Sequence, residues 1–218
     1  MGRSPVALPL CWFQMRIIAG QFRSRTLLAP PGLATRPTSD RLRETLFNVL
    51  ASSIEGAAFL DLYSGSGAVG IEALSRGAAS VAFVEKAPPA LAALRSNLAR
   101  LGIVGGFRIH SGSVAHFLRG SEKEDRPGPE TAQQPSLSQT FDLVFLDPPY
   151  DHADEYSIAL RLLGGDVRAL LNPGALVIAE HRGKGGSAQQ LDERYGALER
   201  TRLLVQGDAA LSFYATHE

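Results

Sequence analysis

The sequence predicts an α/β fold built on a doubly wound, mostly parallel seven-stranded sheet with an antiparallel C-terminal strand. The main observation is a regular alternation of short apolar segments with longer amphipathic ones, which is typical of parallel sheets with right-handed crossovers. Gly77 and Gly102 lie where helix ends require a left-handed residue. The last two segments, 197–206 and 209–216, are typical of an antiparallel pair that closes the sheet.

Each element of this fold has its own pattern along the chain. Runs of apolar residues predict five parallel strands, at 59–63, 80–85, 107–110, 141–146 and 174–180. Helical periodicity predicts four intervening helices, at about 67–76, 87–101, 112–119 and 154–164. The unbroken apolar run before Asp147 indicates a strand that is covered on both faces, as parallel strands are.

Composition limits the classes of protein to consider. The chain has 218 residues, 44% of them hydrophobic, and a formal net charge of zero, so any nucleic-acid surface must be a local patch. The single cysteine, Cys11, excludes an intramolecular disulfide and a cysteine zinc site, which favours the reducing cytosol. The five histidines show no metal-ligand spacing, and no apolar run approaches the roughly 18 residues of a membrane span. We therefore expect a cytoplasmic protein without a metal site or a membrane segment.

Three segments lie outside the strand–helix alternation. Residues 1–14 contain two prolines and lack a cleavage site for a signal peptide, so we expect a loose N-terminal extension. Residues 15–37 predict a small β-hairpin appendage, after which an amphipathic helix opens the catalytic domain, 38–218. Residues 120–140 are polar and rich in proline, serine and glutamine, which predicts a disordered surface loop.

A glycine-rich loop follows the first strand of the main domain. Gly65, Gly67 and Gly70 form a G-x-G-x-x-G pattern between a strand and a helix, which is the fingerprint of a dinucleotide site. The pattern lets a ligand approach the backbone with no Cβ in the way. Because several nucleoside cofactors need such an approach, the loop alone leaves the cofactor open. The cofactor-binding candidates of this turn are Tyr63, Ser64, Gly65, Ser66 and Gly67.

Two acidic residues favour S-adenosylmethionine (SAM) over a dinucleotide. Asp61, at the end of the first strand, would repel a pyrophosphate but attract the sulfonium and ammonium groups of SAM. Glu85 closes the second strand and could accept hydrogen bonds from both ribose hydroxyls of either cofactor. The alternative is that both acids only cap strand ends on a solvated rim. Ser113 and Val114 follow the third strand, where an adenine contact is expected, although Ser113 could equally cap the next helix.

The sequence Asp147-Pro148-Pro149-Tyr150 ends the fourth predicted strand at the edge where α/β proteins bind ligands. An exocyclic amine on a purine or pyrimidine is a poor nucleophile, because its lone pair is delocalised into the ring. The Asp147 carboxylate and the Pro148 carbonyl, stiffened by Pro149, could hold such an amine in a tetrahedral geometry. Tyr150 could stack on the ring. The alternative is an ordinary polar turn, in which Asp-Pro is common.

Basic residues concentrate near the N-terminus of a chain that is neutral as a whole. Residues 15–43 contain six arginines and a single acid, Asp40, which suits contacts with RNA phosphates. The alternative is a solvated face whose arginines pair with acids elsewhere. Arg41 and Arg43 cannot share one helix face, so we expect one to face RNA and the other to face the protein. The RNA-binding candidates are Arg16, Arg23, Arg25, Arg36, Arg41 and Arg43.

Several of these motifs together resemble a known family. The segments "FLDLYSGSGAVGIEALSRGA", "VAFVE" and "FDLVFLDPPY" resemble class I SAM-dependent amino-methyltransferases, which have a Rossmann-like fold. The segments "MRIIAGQFRSRTL" and "TRPTSDRLRETLFNVL" are similar to those of bacterial 16S ribosomal RNA guanine-N2 methyltransferases of the RsmD type. This resemblance implies a monomeric enzyme that methylates one guanine amine of the small-subunit RNA within ribosomal particles. The leader 1–14 and the loop 120–140 depart from the family.

Other functions would explain parts of the pattern. A DNA adenine or protein glutamine methyltransferase would share the Asp147 motif, but a DNA enzyme usually needs an added recognition domain, for which little chain remains. A nicotinamide-dependent oxidoreductase would explain the glycine loop and leave Asp61 and Asp147 without a role. A non-catalytic RNA-binding module would explain the arginines alone.

Overall fold

The computed structural model describes residues 15–29, 40–120, 140–149, 153–183 and 191–216. The predicted extension 1–14 and nearly all of the predicted loop 120–140 lie outside these residues. The helices are α1 (Asp40–Val49), α2 (Ala68–Ser75), α3 (Pro88–Leu101), α4 (Val114–Leu118) and α5 (Ala153–Gly164). None of the helices in the described part of the chain is long and apolar enough to cross a membrane.

The strands form two sheets. A two-stranded antiparallel sheet joins β1 (Met15–Arg16) to β2 (Thr26–Leu27). The main sheet has the order β5-β4-β3-β6-β7-β10-β9-β8. Its parallel strands are β3 (Ala58–Leu62), β4 (Ser80–Glu85), β5 (Phe107–Ser111), β6 (Phe141–Leu146) and β7 (Leu171–Arg182). Its antiparallel strands are β8 (Arg194–Tyr195), β9 (Leu198–Gln206) and β10 (Ala209–Thr216).

The predicted α/β fold with its antiparallel C-terminal strands is confirmed, and the main sheet has one strand more than the predicted seven. The additional strand, β8, has only two residues and pairs with the start of β9. A two-residue strand is too short to show the period-2 alternation by which strands are identified from sequence. β7 also begins three residues before the predicted 174, because Leu171 already pairs with Phe141.

The order of the strands creates a switch point at β3. From β3 the chain proceeds to β4 and β5, which lie on one side of β3 within the sheet. It then returns to place β6 on the other side of β3. β3 and β6 run parallel and in register, with Leu62 opposite Leu146. The loops after these two strands therefore lie side by side at the carboxyl edge, where open α/β sheets bind ligands.

Helices cover both faces of the sheet, and each face has its own apolar cluster. One face, here called the α1–α3 face, packs against α1, α2 and α3, and its apolar cluster includes Phe47, Phe59 and Phe145. The other face packs against α4 and α5 around Val144, Tyr156 and Val177. Because strand residues alternate between faces, Asp61 lies on the α1–α3 face, two residues after Phe59.

Residues 15–29, here called the hairpin, pack onto the main domain. Ile17 and Leu27 are buried in the cluster of the α1–α3 face. The Glu72 carboxylate, fully buried in α2, accepts hydrogen bonds from the backbone N–H groups of Ile18 at 2.7 Å and Ala19 at 2.9 Å. It also accepts from Arg76 Nε at 2.8 Å. A buried carboxylate with several donors thus attaches the hairpin to the helix that follows the glycine loop. The predicted boundary between residues 37 and 38 stays a prediction, because residues 30–39 lie outside the described part of the chain.

Replacing Glu72 by alanine should destabilise the protein by about 3 to 5 kcal/mol, because buried donors and the nearby arginines lose their acceptor. Urea unfolding monitored by circular dichroism measures the change. The exposed Glu55 provides a matched control, and Glu55→Ala should change the free energy of unfolding by less than about 0.5 kcal/mol. Equal stability of the two variants would show that the carboxylate does not hold the hairpin.

Candidate functional site

The glycine loop connects β3 to α2 and has the backbone that its sequence predicts. Gly65 and Gly67 have φ angles of 56° and 81°, in the left-handed region that favours glycine. A Cβ atom on Gly70 would lie 2.3 Å from Phe83 Cε1, so this third glycine allows α2 to pack closely on β4. Ser64 continues the turn, and its N–H and hydroxyl both donate to the Val84 carbonyl at 3.0 Å. The loop is therefore fixed to the neighbouring strand.

Asp61 is almost fully buried, at 2% exposure, beneath this loop. Its Oδ2 atom accepts the N–H of Gly70 at 2.9 Å, which attaches the end of β3 to the first turn of α2. Burial raises the pKa of the Asp61 carboxyl to about 7, although the hydrogen bond from Gly70 opposes this shift. The prediction from sequence named only an electrostatic role toward a ligand, and the structure adds a bond that shapes the loop. The solvated-rim alternative is wrong for Asp61.

Glu85 ends β4 and lies beside the glycine loop. Its Oε2 atom accepts the Gly65 N–H at 2.8 Å, and Oε1 accepts the N–H groups of Lys86 and Ala87, each at 2.8 Å. A carboxylate has about four acceptor positions, so Glu85 retains capacity for a further donor such as a ribose hydroxyl. The same side chain thus orders the loop and offers an acceptor at its edge.

Tyr63 and two charged neighbours form a bridge across the carboxyl edge. Tyr63 has a φ of 62°, a strained value for a residue with a side chain, and its hydroxyl donates to Glu155 Oε2 at 2.8 Å. Burial, with help from Glu155, raises the pKa of the Tyr63 hydroxyl. Lys86 Nζ lies 3.4 Å from Glu155 Oε1. Glu155 was not predicted, because an acid in the first turn of a helix usually only complements the helix dipole.

Ser113 and Val114 lie at the start of α4. Ser113 is the N-cap, and its hydroxyl accepts the His116 N–H at 3.3 Å, as the alternative interpretation of the sequence proposed. Val114 is buried at 3% exposure in the cluster beneath α4 and α5, which leaves little surface for a ligand. An adenine contact by either residue stays a prediction.

Asp147 and Pro148 follow β6, directly beside the glycine loop. Asp147 is half-buried, and it continues the alternation of Leu143 and Phe145 toward the α1–α3 face. The Pro148 carbonyl lies 3.5 Å from the Tyr156 hydroxyl, which donates to the Glu180 carbonyl at the shorter distance of 2.8 Å. Because Tyr156 has a single proton to donate, the Pro148 carbonyl can still accept from a substrate. Pro149 is exposed, and Tyr150 lies outside the described residues.

Glu180 is a buried acid at this edge that the sequence analysis missed. Leu146 pairs with Ala179, so Glu180 on β7 lies one position beyond that pair, next to Asp147. It is 3% exposed and pairs with Leu211 on β10, which belongs to the cluster of the α1–α3 face. Asp61, Asp147 and Glu180 therefore share one face and one edge. An acid closing the apolar run 174–180 was the signal that could have identified it.

The predicted RNA-binding arginines occupy different environments. Arg16, Arg23, Arg25 and Arg41 are exposed, and Arg36 lies outside the described residues. A cleft of about 440 Å³ between the hairpin and α1 has Arg16, Arg23 and Arg41 in its lining, together with Asp40 and Glu44. The same cleft includes Ser24, Ile17 and Ile18. Three arginine residues thus border one concave surface, with two acidic residues among them.

The prediction that Arg43 contacts RNA is wrong. Arg43 is fully buried, and it donates to Asp40 at 2.8 Å and to the Arg16 carbonyl. Its Nε atom lies 3.7 Å from Glu72 Oε2. Of the two helix arginines, Arg41 is the one exposed to solvent and Arg43 is the one directed into the protein.

Comparisons with known proteins agree with this arrangement. A family profile described as Conserved hypothetical protein 95 matches residues 15–215. The chain is 36% identical over 167 residues to Ribosomal RNA small subunit methyltransferase D of Haemophilus influenzae, covering 77% of this chain and 78% of that one. It is 32% identical over 200 residues to YlbH of Bacillus subtilis, described provisionally as an rRNA methyltransferase, covering 92% of this chain and 98% of the relative.

Solved structures show the same similarity. The Escherichia coli protein yhhF, described provisionally as a methyltransferase, has a TM-score of 0.73 and 33% identity, covering 93% of this chain and 98% of that one. The Haemophilus influenzae protein HI0767, described provisionally as a methylase, has a TM-score of 0.69 and 30% identity, covering 94% of this chain and 99% of that one. The chain, with its class I methyltransferase fold, therefore belongs to the family of small-subunit ribosomal RNA methyltransferases of the RsmD type.

Proposed function

We propose that the protein transfers a methyl group from SAM to the exocyclic N2 amine of a guanine in 16S ribosomal RNA. The observation that carries this proposal is the juxtaposition of the glycine loop and Asp147 at the ends of the paired strands β3 and β6. A cofactor loop and an acceptor for an amine are thus held side by side. The named relative from Haemophilus influenzae supports the choice of ribosomal RNA as substrate.

The electrostatics of the loop support SAM as the methyl donor. SAM supplies an electrophilic methyl group on a sulfonium centre. Asp61 lies beneath the loop and would favour the positive charges of SAM, whereas it would repel the pyrophosphate of a dinucleotide. Glu85 would accept from a ribose hydroxyl, in addition to the backbone donors that it already binds.

The residues after β6 would prepare the guanine amine for attack. The Asp147 carboxylate and the Pro148 carbonyl would accept from the two N–H bonds of the amine, which favours the tetrahedral geometry of the transition state. Asp147 would also receive the proton that the amine loses when its bond to the methyl group forms. Tyr150 would stack on the base.

The hairpin and α1 would hold the RNA. Arg16, Arg23, Arg25 and Arg41 offer exposed positive charge on one side of the molecule, in a chain without net charge. We further propose that the enzyme acts as a monomer on small-subunit particles in the cytoplasm.

The affinity for SAM should rise with pH between about 6 and 7.5, because only the ionised Asp61 carboxylate attracts the ligand's charge. In the unliganded protein, the raised pKa of Asp61 also makes a contribution to folding stability. This contribution is fully present below about pH 4 and is lost as the pH rises through about 7. Titration calorimetry at several pH values should show a flatter affinity profile for Asp61→Asn than for the wild type. The exposed Asp166 serves as the control, and Asp166→Asn should keep the wild-type profile. An unchanged slope in Asp61→Asn would remove Asp61 from the cofactor site.

Replacing Asp147 by alanine should slow single-turnover methyl transfer to unmethylated small-subunit particles by about a hundredfold or more, the usual effect of losing one preorganised electrostatic partner. Asp147→Asn keeps an acceptor oxygen but loses the charge, so its rate should lie between those of alanine and the wild type. The exposed Asp154 on α5 provides the control, Asp154→Ala, with an expected rate near that of the wild type. A wild-type rate in Asp147→Ala would contradict the proposed role.

Removing Arg23 and Arg41 by alanine substitution should weaken binding to RNA and reduce the slope of log affinity against log salt by about one for each phosphate that is no longer bound. SAM affinity should not change. Arg100→Ala, on the exposed surface of α3, is the matched control and should keep the wild-type salt slope. If the double variant also kept that slope, the arginines would belong to a solvated face that does not bind RNA.

A further inference from the structure

Three buried polar side chains of α2 and α3 attach the hairpin to the main domain. Glu72 and Ser75 are on α2, and Asn97 is on α3. Glu72 binds the backbone of Ile18 and Ala19, as described above. The Ser75 hydroxyl accepts the Phe22 N–H at 3.0 Å and donates to the Ala19 carbonyl at 2.5 Å. Asn97 differs from the other two in that it also binds the glycine loop.

The amide of Asn97 uses its acceptor and its donors in three bonds to the backbone. Oδ1 accepts the Leu28 N–H at 2.8 Å, and Nδ2 donates to the Leu28 carbonyl at 3.0 Å. The side chain therefore binds both backbone groups of Leu28, as a neighbouring strand would, directly after β2 ends. Nδ2 also donates to the Ser66 carbonyl at 3.0 Å. Asn97 is 1% exposed, so solvent cannot replace a bond that is broken.

The Ser66 carbonyl belongs to a peptide unit whose orientation matters for a bound cofactor. This peptide joins Ser66 to Gly67, and its N–H donates to the Ser64 carbonyl at 2.7 Å. The flanking glycines have left-handed backbones and no side chains to restrict them. The bond from Asn97 and the bond to Ser64 both hold this peptide, and the amide group of Asn97 also holds the end of the hairpin.

We propose that Asn97 is a positioning residue that couples RNA docking on the hairpin to cofactor binding at the glycine loop. The inference rests on the proposed function, which places SAM at the loop and RNA on the hairpin. A ligand that fixes the loop would fix Asn97 and, through it, Leu28. A partner that fixes the hairpin would fix the Ser66 carbonyl by the same bonds. Such coupling is reciprocal, so each ligand tightens the binding of the other by the same factor.

The first test uses wild-type protein and S-adenosylhomocysteine, the product that remains when SAM loses its methyl group and that has no methyl group left to transfer. Saturation with this ligand should slow hydrogen exchange of the Leu28 amide at least threefold, although Leu28 belongs to the hairpin. The Arg25 amide, which donates to the Phe22 carbonyl within the hairpin, is the internal control and should exchange at an unchanged rate. Unchanged exchange at Leu28 with the ligand bound would overturn the coupling and leave the proposed function intact. Failure of the ligand to bind would instead contradict the proposed function.

The second test measures the coupling factor directly. The dissociation constant of S-adenosylhomocysteine is determined with and without saturating unmethylated small-subunit particles. The wild type should bind the ligand at least about fivefold more tightly when the particles are present, the lower end of typical coupling. The coupling factor is the dissociation constant without particles divided by that with particles. Asn97→Asp keeps the size of the side chain but loses both donated bonds, so its coupling factor should fall to within about twofold of one.

Ser75→Ala is the matched control for this experiment, because it removes bonds to the hairpin and none to the glycine loop. It should bind particles more weakly and keep the wild-type coupling factor. A coupling factor near one in Ser75→Ala as well as in Asn97→Asp would assign the coupling to hairpin docking in general and overturn the role of Asn97. A wild-type coupling factor near one would overturn it too.

Discussion

The parallel, in-register pairing of β3 with β6 is the constraint on which the candidate site depends. Leu62 lies opposite Leu146, so the chain segments that follow these residues emerge at the same level of the sheet. One segment becomes the glycine loop and the other begins with Asp147. The two are distant in sequence yet adjacent in space, because β6 returns to the open side of β3 after β4 and β5. Without this crossover, the glycine loop and Asp147 would not lie next to each other.

Three acids organise the structure around that crossover, and of these Asp61 and Glu72 are buried while Glu85 is half-buried. Asp61 connects β3 to α2, Glu85 connects β4 to the glycine loop, and Glu72 connects α2 to the hairpin. Each carboxylate accepts backbone N–H groups that would otherwise lack a partner, which offsets part of the free energy required to remove it from water. For Asp61 the hydrogen bond from Gly70 does not fully offset the cost of burial, and its pKa is therefore raised. An acid that is only partly compensated is poised to interact with a cationic ligand.

Much of the fold and the glycine loop could be predicted from patterns that are local in sequence. Alternating apolar segments predicted the parallel strands, and the spacing of the glycines predicted a loop that the structure confirms. Features that depend on contacts distant in sequence could not be predicted. The burial of Arg43 depends on Glu72, and the role of Asn97 depends on Leu28 and Ser66. Glu180 becomes notable only when β7 is placed beside β6. Short elements such as β8 carry too few residues for any periodicity.

The shared orientation of Asp61, Asp147 and Glu180 has a consequence for how a nucleotide can enter. These carboxyl groups lie at one edge of the α1–α3 face, the same face on which the hairpin packs with its exposed arginines. Under the proposed function, the neutral base of a nucleotide would approach these carboxyl groups, while its anionic phosphates would stay beside the arginines. A base that is still stacked in a duplex cannot satisfy both demands at once. This arrangement of charge would therefore favour a nucleotide that has turned out of the stack.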